Sequence, residues 1–100
     1  MQVHSAYFWL KEGLSEDDLR SFEEGLESLT ESETVQSGYF GAPAATEKRE
    51  VVDDTYDYGL VLVFENVSTH NVYQAGDVHQ TFVDEHAAKF DRVKVYDVQS

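Results

Sequence analysis

The sequence predicts one α+β domain whose elements follow the order strand, helix, strand, strand, helix, strand. Four short segments rich in β-branched and aromatic residues indicate the strands. Two longer segments combine helix-capping residues with helical spacing or a helix-breaking glycine, which indicates the helices. Because a chain of 100 residues provides one core rather than two, we treat residues 1–100 as a single domain.

The first strand and the first helix are joined by a short polar turn. The segment Val3–Leu10 (VHSAYFWL) is rich in aromatic residues and ends before Lys11-Glu12-Gly13, which indicates a strand. Ser15-Glu16-Asp17-Asp18 has the form of a capping box, with acidic side chains where the helix dipole favours them. The helix that follows carries apolar residues on one face, at Leu19, Phe22, Leu26 and Leu29.

Two further strands lie on either side of a polar loop. Val35–Ala42 (VQSGYFGA) is short, aromatic and contains glycine, and a loop of mixed charge then runs from Pro43 through Thr55. Asp57–Glu65 (DYGLVLVFE) is the clearest strand, because both of its alternating sets of residues are apolar. A strand of this kind requires cover on both of its faces.

The second helical region contains an internal glycine. Ser68-Thr69 can cap its start, Gly76 is expected to interrupt it, and Asp77 is expected to restart it as far as about Phe90. Arg92–Val98 (RVKVYDV), with alternating valines, is predicted as the last strand.

Six elements in this order most often build a four-stranded antiparallel sheet with two helices on one face, the ferredoxin-like arrangement. The other face of the sheet would then lack helices, although Tyr7, Trp9 and Tyr39 add aromatic surface to the apolar third strand. An apolar patch of this kind marks an association site. We therefore expect a homodimer in which the sheets of two copies pack together.

The charge and composition exclude several classes of function. A formal net charge of -13 repels nucleic acid and anionic lipid, so we expect no nucleic-acid partner and no membrane partner. The charge fits either an ordinary soluble surface or adaptation to a salty cytoplasm. No cysteine is present, which excludes disulfides and thiolate chemistry. The first residues do not have the pattern of a signal peptide, so we expect a cytoplasmic protein.

Several short motifs occur in a characteristic order along nearly the whole chain. They are Val3-His4, Phe64-Glu65, Tyr73, His79 with Phe82-Val83, and a closing Val-x-Val-x-Asp at Val93, Val95 and Asp97. In order and spacing this pattern resembles the stress-responsive dimeric α/β-barrel family. The resemblance implies a ferredoxin-like dimer, which agrees with the arrangement expected from the strands.

The resemblance also implies a pocket between the sheet and the helices. Most members of the family have no established reaction, but one plant branch consists of polyketide cyclases that use a Tyr and a His. By position these catalytic residues correspond to Tyr73 and His79, and the opening-strand His corresponds to His4. The apolar ligand-binding wall would include Phe8, Leu60, Phe82 and Val95. Many members have Pro-x-His where this chain has Asp77-Val78-His79, and the charge of Asp77 would favour a protonated His79.

Each histidine also has a structural interpretation. His79 can transfer a proton near neutral pH and Tyr73 can donate one to an enolate oxygen, but both can equally serve packing and pairing. His79 and His86 are seven residues apart, about 10.5 Å along a helix, so we expect no metal site between them and no cofactor. His70 is interpreted as a surface residue. For His4, a buried structural residue and a ligand contact remain equally open.

Two functional hypotheses follow. The first is a small-molecule-binding, stress-response protein without catalysis. The second is a cofactor-free, polyketide-cyclase-like enzyme that acts on an acidic C–H next to a carbonyl, with His79 and Tyr73 as an acid–base pair.

Overall fold

The computed structural model describes residues 1–100 and confirms the α+β fold. The four strands form one antiparallel sheet in the order β2-β3-β1-β4, and the helices lie on one of its faces. Its elements are β1 (Gln2–Leu10), α1 (Glu16–Thr30), β2 (Ser37–Gly41), β3 (Tyr58–Phe64), α2 (Val67–Ala75), α3 (Asp77–His86) and β4 (Phe90–Gln99), with a 3-10 turn at Ala87–Lys89 before β4. None of these helices is long and apolar enough to cross a membrane.

The helix boundaries confirm one prediction and correct two others. Ser15 and Asp18 form the predicted capping box at the start of α1. The second helical region is capped by Asn66 rather than by Ser68-Thr69, because Asn66 and Thr69 form a capping box of their own. The region ends at His86 instead of about Phe90, since the chain passes through the 3-10 turn and enters β4.

Pairing between strands sets the length of β4. Arg92–Val98 was predicted from the alternating valines, but β4 extends from Phe90 to Gln99 because it pairs along the whole of β1. The pairing places His4 opposite Asp97 and Ala6 opposite Val95. Paired residues project to the same face of a sheet, so these four side chains share the face that carries the helices.

The core lies between the sheet and the helices. The even-numbered residues from Gln2 to Phe8 in β1 and from Leu60 to Phe64 in β3 are buried there, and α1 contributes Phe22, Leu26 and Leu29 from the face that its spacing predicted. Ten buried hydrophobic residues form one cluster, so the chain has a single core. The confirmed alternation also assigns Val61 and Val63 of β3 to the opposite face of the sheet.

The face without helices carries an aromatic group. Tyr56 lies 4.9 Å from Tyr7 and 6.3 Å from Trp9 between ring centroids, and the guanidinium of Arg92 lies 4.5 Å from the Trp9 ring. The remainder of this face is open, with Tyr39 68% exposed. This is the surface for which the sequence predicted a cover.

Candidate functional site

A cavity of about 170 Å³ lies between the sheet and the helices. Thirteen residues line it, and ten of them are hydrophobic. They come from β1, β3, β4, α1, α2 and α3: His4, Ala6, Phe8, Leu29, Leu60, Tyr73, Gln74, His79, Phe82, Val83, Phe90, Val93 and Val95. The cavity is therefore an apolar space with a small number of polar groups in its wall.

The structure brings all the sequence-predicted site residues to this one cavity. They are His4, Phe8, Leu60, Tyr73, His79, Phe82 and Val95. These residues share a position in the wall of the cavity. Their roles in binding or catalysis stay predictions.

Tyr73 and His79 converge because the helix is interrupted between them, as predicted. α2 ends at Ala75, Gly76 is extended (φ -80°, ψ 161°), and α3 begins at Asp77. The two rings meet edge to face with centroids 5.2 Å apart. In a continuous helix, residues six apart would point in different directions.

Tyr73 lines the cavity, and its phenol is neutral. The residue is only 5% exposed, and burial raises the pKa of its hydroxyl far above the ordinary value. None of the side-chain hydrogen bonds within the chain involves this hydroxyl, whereas the neighbouring Gln74 has two. A phenol that stays protonated and has no protein partner is suited to donate a hydrogen bond to a ligand oxygen.

His79 is held in place as a neutral imidazole. Its Nε2 accepts a hydrogen bond from Nε2 of Gln74 at 3.1 Å. Burial, followed by the charges of His4 and His70, lowers the pKa of His79. The expectation that Asp77 favours a protonated His79 is wrong, because Asp77 is exposed to solvent and the neighbours that act on the ring are two other histidines.

His4 forms a close pair with a carboxylate that the sequence did not identify as part of the site. Its Nδ1 lies 2.6 Å from Oδ1 of Asp97, and the buried Gln2 amide donates to the same oxygen at 3.1 Å. Partial burial alone would raise the pKa of the Asp97 carboxyl, but the hydrogen bond and charge of His4, with the Gln2 amide, hold that pKa below its ordinary value. Asp97 is therefore ionised near neutral pH, and it orients the His4 ring.

His70 is not the surface residue that its position near the helix start suggested. Its ring is half-buried, stacks on Phe64 at 4.9 Å with an interplanar angle of 29°, and lies 4.6 Å from the His4 ring. Burial, then the charge of His4, lowers the pKa of His70. The missed signal is the spacing of His70 and Tyr73, because residues three apart share one helical face.

His86 lies apart from the cavity. It is 1% exposed and packs edge to face on Phe22 at 5.6 Å, while the ammonium of Lys89 donates to its Nδ1 at 3.1 Å. These contacts make His86 a packing residue. Of the four histidines, it is the one whose ring makes no contact with the group formed by His4, His70, Tyr73 and His79.

A protein-family model matches this sequence. The model described as the stress responsive A/B barrel domain matches residues 3–100, almost the complete chain. Among curated proteins, none matches this sequence.

Solved structures with the same fold are numerous. A dimeric ferredoxin-like protein of unknown function from Thermobifida fusca has a TM-score of 0.79 at 16% identity, over 99% of this chain and 90% of that one. A Dabb-family protein with a ferredoxin-like fold from Mesorhizobium loti has a TM-score of 0.77 at 17% identity, over 99% and 95%. The hydroxynitrile lyase of Passiflora edulis has a TM-score of 0.80 at 13% identity, over 97% and 90%. At these identities the similarity establishes the fold.

Proposed function

Since the chain belongs to the stress responsive A/B barrel domain family, whose fold it shares, we propose that it binds a small organic molecule in the cavity between its sheet and its helices. The observation that carries this proposal is the cavity itself, which has apolar walls and a few convergent polar groups. Ligand sites in proteins commonly have this composition.

The size of the cavity limits the ligand. An apolar cavity of about 150 Å³ in another protein is sufficient to bind benzene. A volume of about 170 Å³ therefore fits one aromatic ring with a small substituent. We accordingly expect a compact single-ring ligand to bind better than a two-ring one.

The polar part of the wall selects the substituent. The Tyr73 hydroxyl is neutral and has no protein partner, and the neutral His79 ring lies beside it. A carbonyl oxygen can accept a hydrogen bond from the phenol, whereas a hydrocarbon would leave that donor without a partner. The ligand class supported by these groups is a single-ring aromatic ketone or aldehyde.

Isothermal titration with three probes tests this proposal: acetophenone, toluene and 2-acetylnaphthalene. We expect acetophenone to bind most tightly, because toluene lacks the acceptor and the naphthalene ring system exceeds the cavity. Val95→Phe should weaken acetophenone binding by filling space at the wall, while Val51→Phe, an equal change at a position 81% exposed in the loop, should leave it unchanged. Equal affinities for all three probes, or no effect of Val95→Phe, would contradict a defined cavity site.

A cofactor-free, cyclase-like enzyme is the second candidate, and the contact between Tyr73 and His79 favours it. Once a substrate displaces the Gln74 amide from Nε2 of His79, the neutral imidazole can remove a proton from a carbon next to a carbonyl, and the Tyr73 hydroxyl can donate to the resulting enolate oxygen. In a cyclase-like reaction that carbon then attacks a second carbonyl of the same substrate. Exchange of the α-protons of acetophenone for deuterium reports the first step. Tyr73→Phe should slow the exchange more than it weakens binding, because the donor acts mainly on developing charge.

We also propose that a second copy of the chain covers the face of the sheet that lacks helices. The exposed aromatic residues on that face support a homodimer, and the Thermobifida fusca relative is described as dimeric. Light scattering should then give twice the monomer mass. Val61→Asp should shift this mass to that of a monomer or unfold the chain, since it would bury an unpaired charge, and Val51→Asp is the control. A monomeric parent protein would contradict the proposal.

The cytoplasmic location stays a prediction.

A further inference from the structure

His4, His70 and Asp97 form a compact group at one part of the cavity wall. The three residues come from β1, α2 and β4, and one nitrogen or oxygen atom from each lies within 4.8 Å of the other two. Two imidazoles and one carboxylate form a ligand set that binds divalent transition metals in preference to Mg²⁺ and Ca²⁺. We propose that this triad binds a divalent transition-metal ion of the zinc class.

The hydrogen bonds of His70 leave a nitrogen free for the metal. Nε2 of His70 lies 3.2 Å from Oε1 of Gln74, and because an amide oxygen only accepts, this nitrogen carries the proton. Nδ1 of His70 is then left with its lone pair. Histidines that bind metals usually donate their other ring N–H to an oxygen in this way, which fixes the tautomer and the ring orientation.

The surroundings of Asp97 fit a metal ligand as well. The carboxylate is held by Gln2 and His4, and its side chain is 45% exposed, so the site has an open side for entry and for a bound water. Oε1 of the buried Gln2 has no hydrogen-bond partner. The Gln2 amide therefore holds the carboxylate through its nitrogen, while its oxygen lacks a donor.

Modest side-chain movements complete the site. Metal–ligand bonds of about 2.0–2.2 Å place neighbouring ligand atoms about 3 Å apart, so the widest separation in the triad must close by about 1–2 Å. Nδ1 of His4 and Oδ1 of Asp97 lie 2.6 Å apart and share a proton. A metal bound between them displaces this proton. Rotation of the His70 ring, which lies on helix α2 against Phe64, can provide part of this closure.

A metal at this position would lie next to the ligand site proposed above. Gln74 bonds His70 through its oxygen and His79 through its nitrogen, so one amide connects the triad to the cavity histidine. The metal site nevertheless does not require the small-molecule ligand. Its three ligands come from distant parts of the sequence. They do not include His79 or His86, the pair that helical spacing excluded as a metal site.

Titration of the untagged protein with Co²⁺, followed by visible absorption, tests the proposal directly. We expect a saturable absorption band at one Co²⁺ per chain, displaced by Zn²⁺ and unaffected by millimolar Ca²⁺. The calcium control is needed because twenty acidic residues can bind cations weakly and without selectivity. In a parallel nuclear magnetic resonance experiment, Zn²⁺ should move the ring signals of His4 and His70 but not that of His86.

Two variants identify the ligands. His70→Leu retains an apolar contact with Phe64, and Asp97→Asn retains a hydrogen-bond acceptor for His4, so both should fold. Each should weaken Co²⁺ binding by at least about 100-fold, whereas Asp91→Asn, which changes an exposed carboxylate near the start of β4, should leave it unchanged. No saturable band, a band abolished by Ca²⁺, or unchanged affinity in both ligand variants would overturn the proposal.

Discussion

Two regions of the layer between sheet and helices differ in how completely they are filled. Around Phe22, Leu26 and His86 the side chains are 0–1% exposed, and these residues do not line the cavity. Around His4, Tyr73 and His79 the same layer contains a cavity of about 170 Å³ with polar groups in its wall. We call these the packed region and the cavity region. We infer from this difference that the packed region stabilises the fold, and we propose the cavity region as the ligand site.

The largest expected effect comes from removing one histidine side chain from each region. His86→Ala should lower the free energy of unfolding by about 2–4 kcal/mol, since it leaves a cavity among fully buried groups. His79→Ala, in the same helix, should lower it by about 0.5 kcal/mol or less, because its ring already borders open space. Chemical denaturation of both variants measures the difference. Equal losses would remove the distinction between the regions.

A glycine in the packed region provides a sharper test of close packing. A Cβ at Gly25 would lie 2.6 Å from Nε2 of His86 and 3.0 Å from a ring carbon of Phe82. Gly→Ala within a helix ordinarily stabilises by about 1 kcal/mol, but here the overpacking should reverse the sign and cost about 1–3 kcal/mol. In the His86→Ala background the same change should become stabilising. A stabilised single variant would show that the packed region can accommodate the extra group.

The effect of pH should be smaller and should involve both regions. Burial lowers the pKa of His79 and of His86, so the unfolded chain binds protons more readily than the folded one. The free energy of unfolding should therefore fall as the pH drops below the ordinary imidazole pKa of about 6.5. Denaturation at a series of pH values between about 7.5 and 5.5 measures this slope. His79→Gln should reduce it, and a slope of opposite sign would contradict the assignment of neutral histidines.

Salt should have the smallest effect, and it acts on the surface outside both regions. Exposed acidic residues crowd α1 and the segment after it, at Glu23, Glu24, Glu27, Glu31 and Glu33. If their repulsion limits stability, about 1 M sodium chloride should raise the melting temperature by screening. An unchanged melting temperature would favour the interpretation of the charge as an ordinary soluble surface.

Much of the fold could be predicted because its signals are local. The capping box at Ser15 and the helix break at Gly76 depend on a few neighbouring residues, and both are present. The contact of His4 with Asp97 depends on the register of β1 against β4, which residues 93 positions apart determine together. The burial of His70 depends on where α2 crosses the sheet, so a residue next to a helix start was interpreted as exposed.

The distinction between the regions is tested most directly by the four histidine ring signals, which report on both regions in one titration. With acetophenone as the ligand, the signals of His79 and His4 should move in a saturable way, because both rings line the cavity. The signal of His86 should stay in place, since its ring is enclosed by Phe22, Phe82 and the Lys89 side chain. A titration in which no ring signal saturates, or in which His86 moves as much as His79, would contradict the proposal that the cavity region is the binding site.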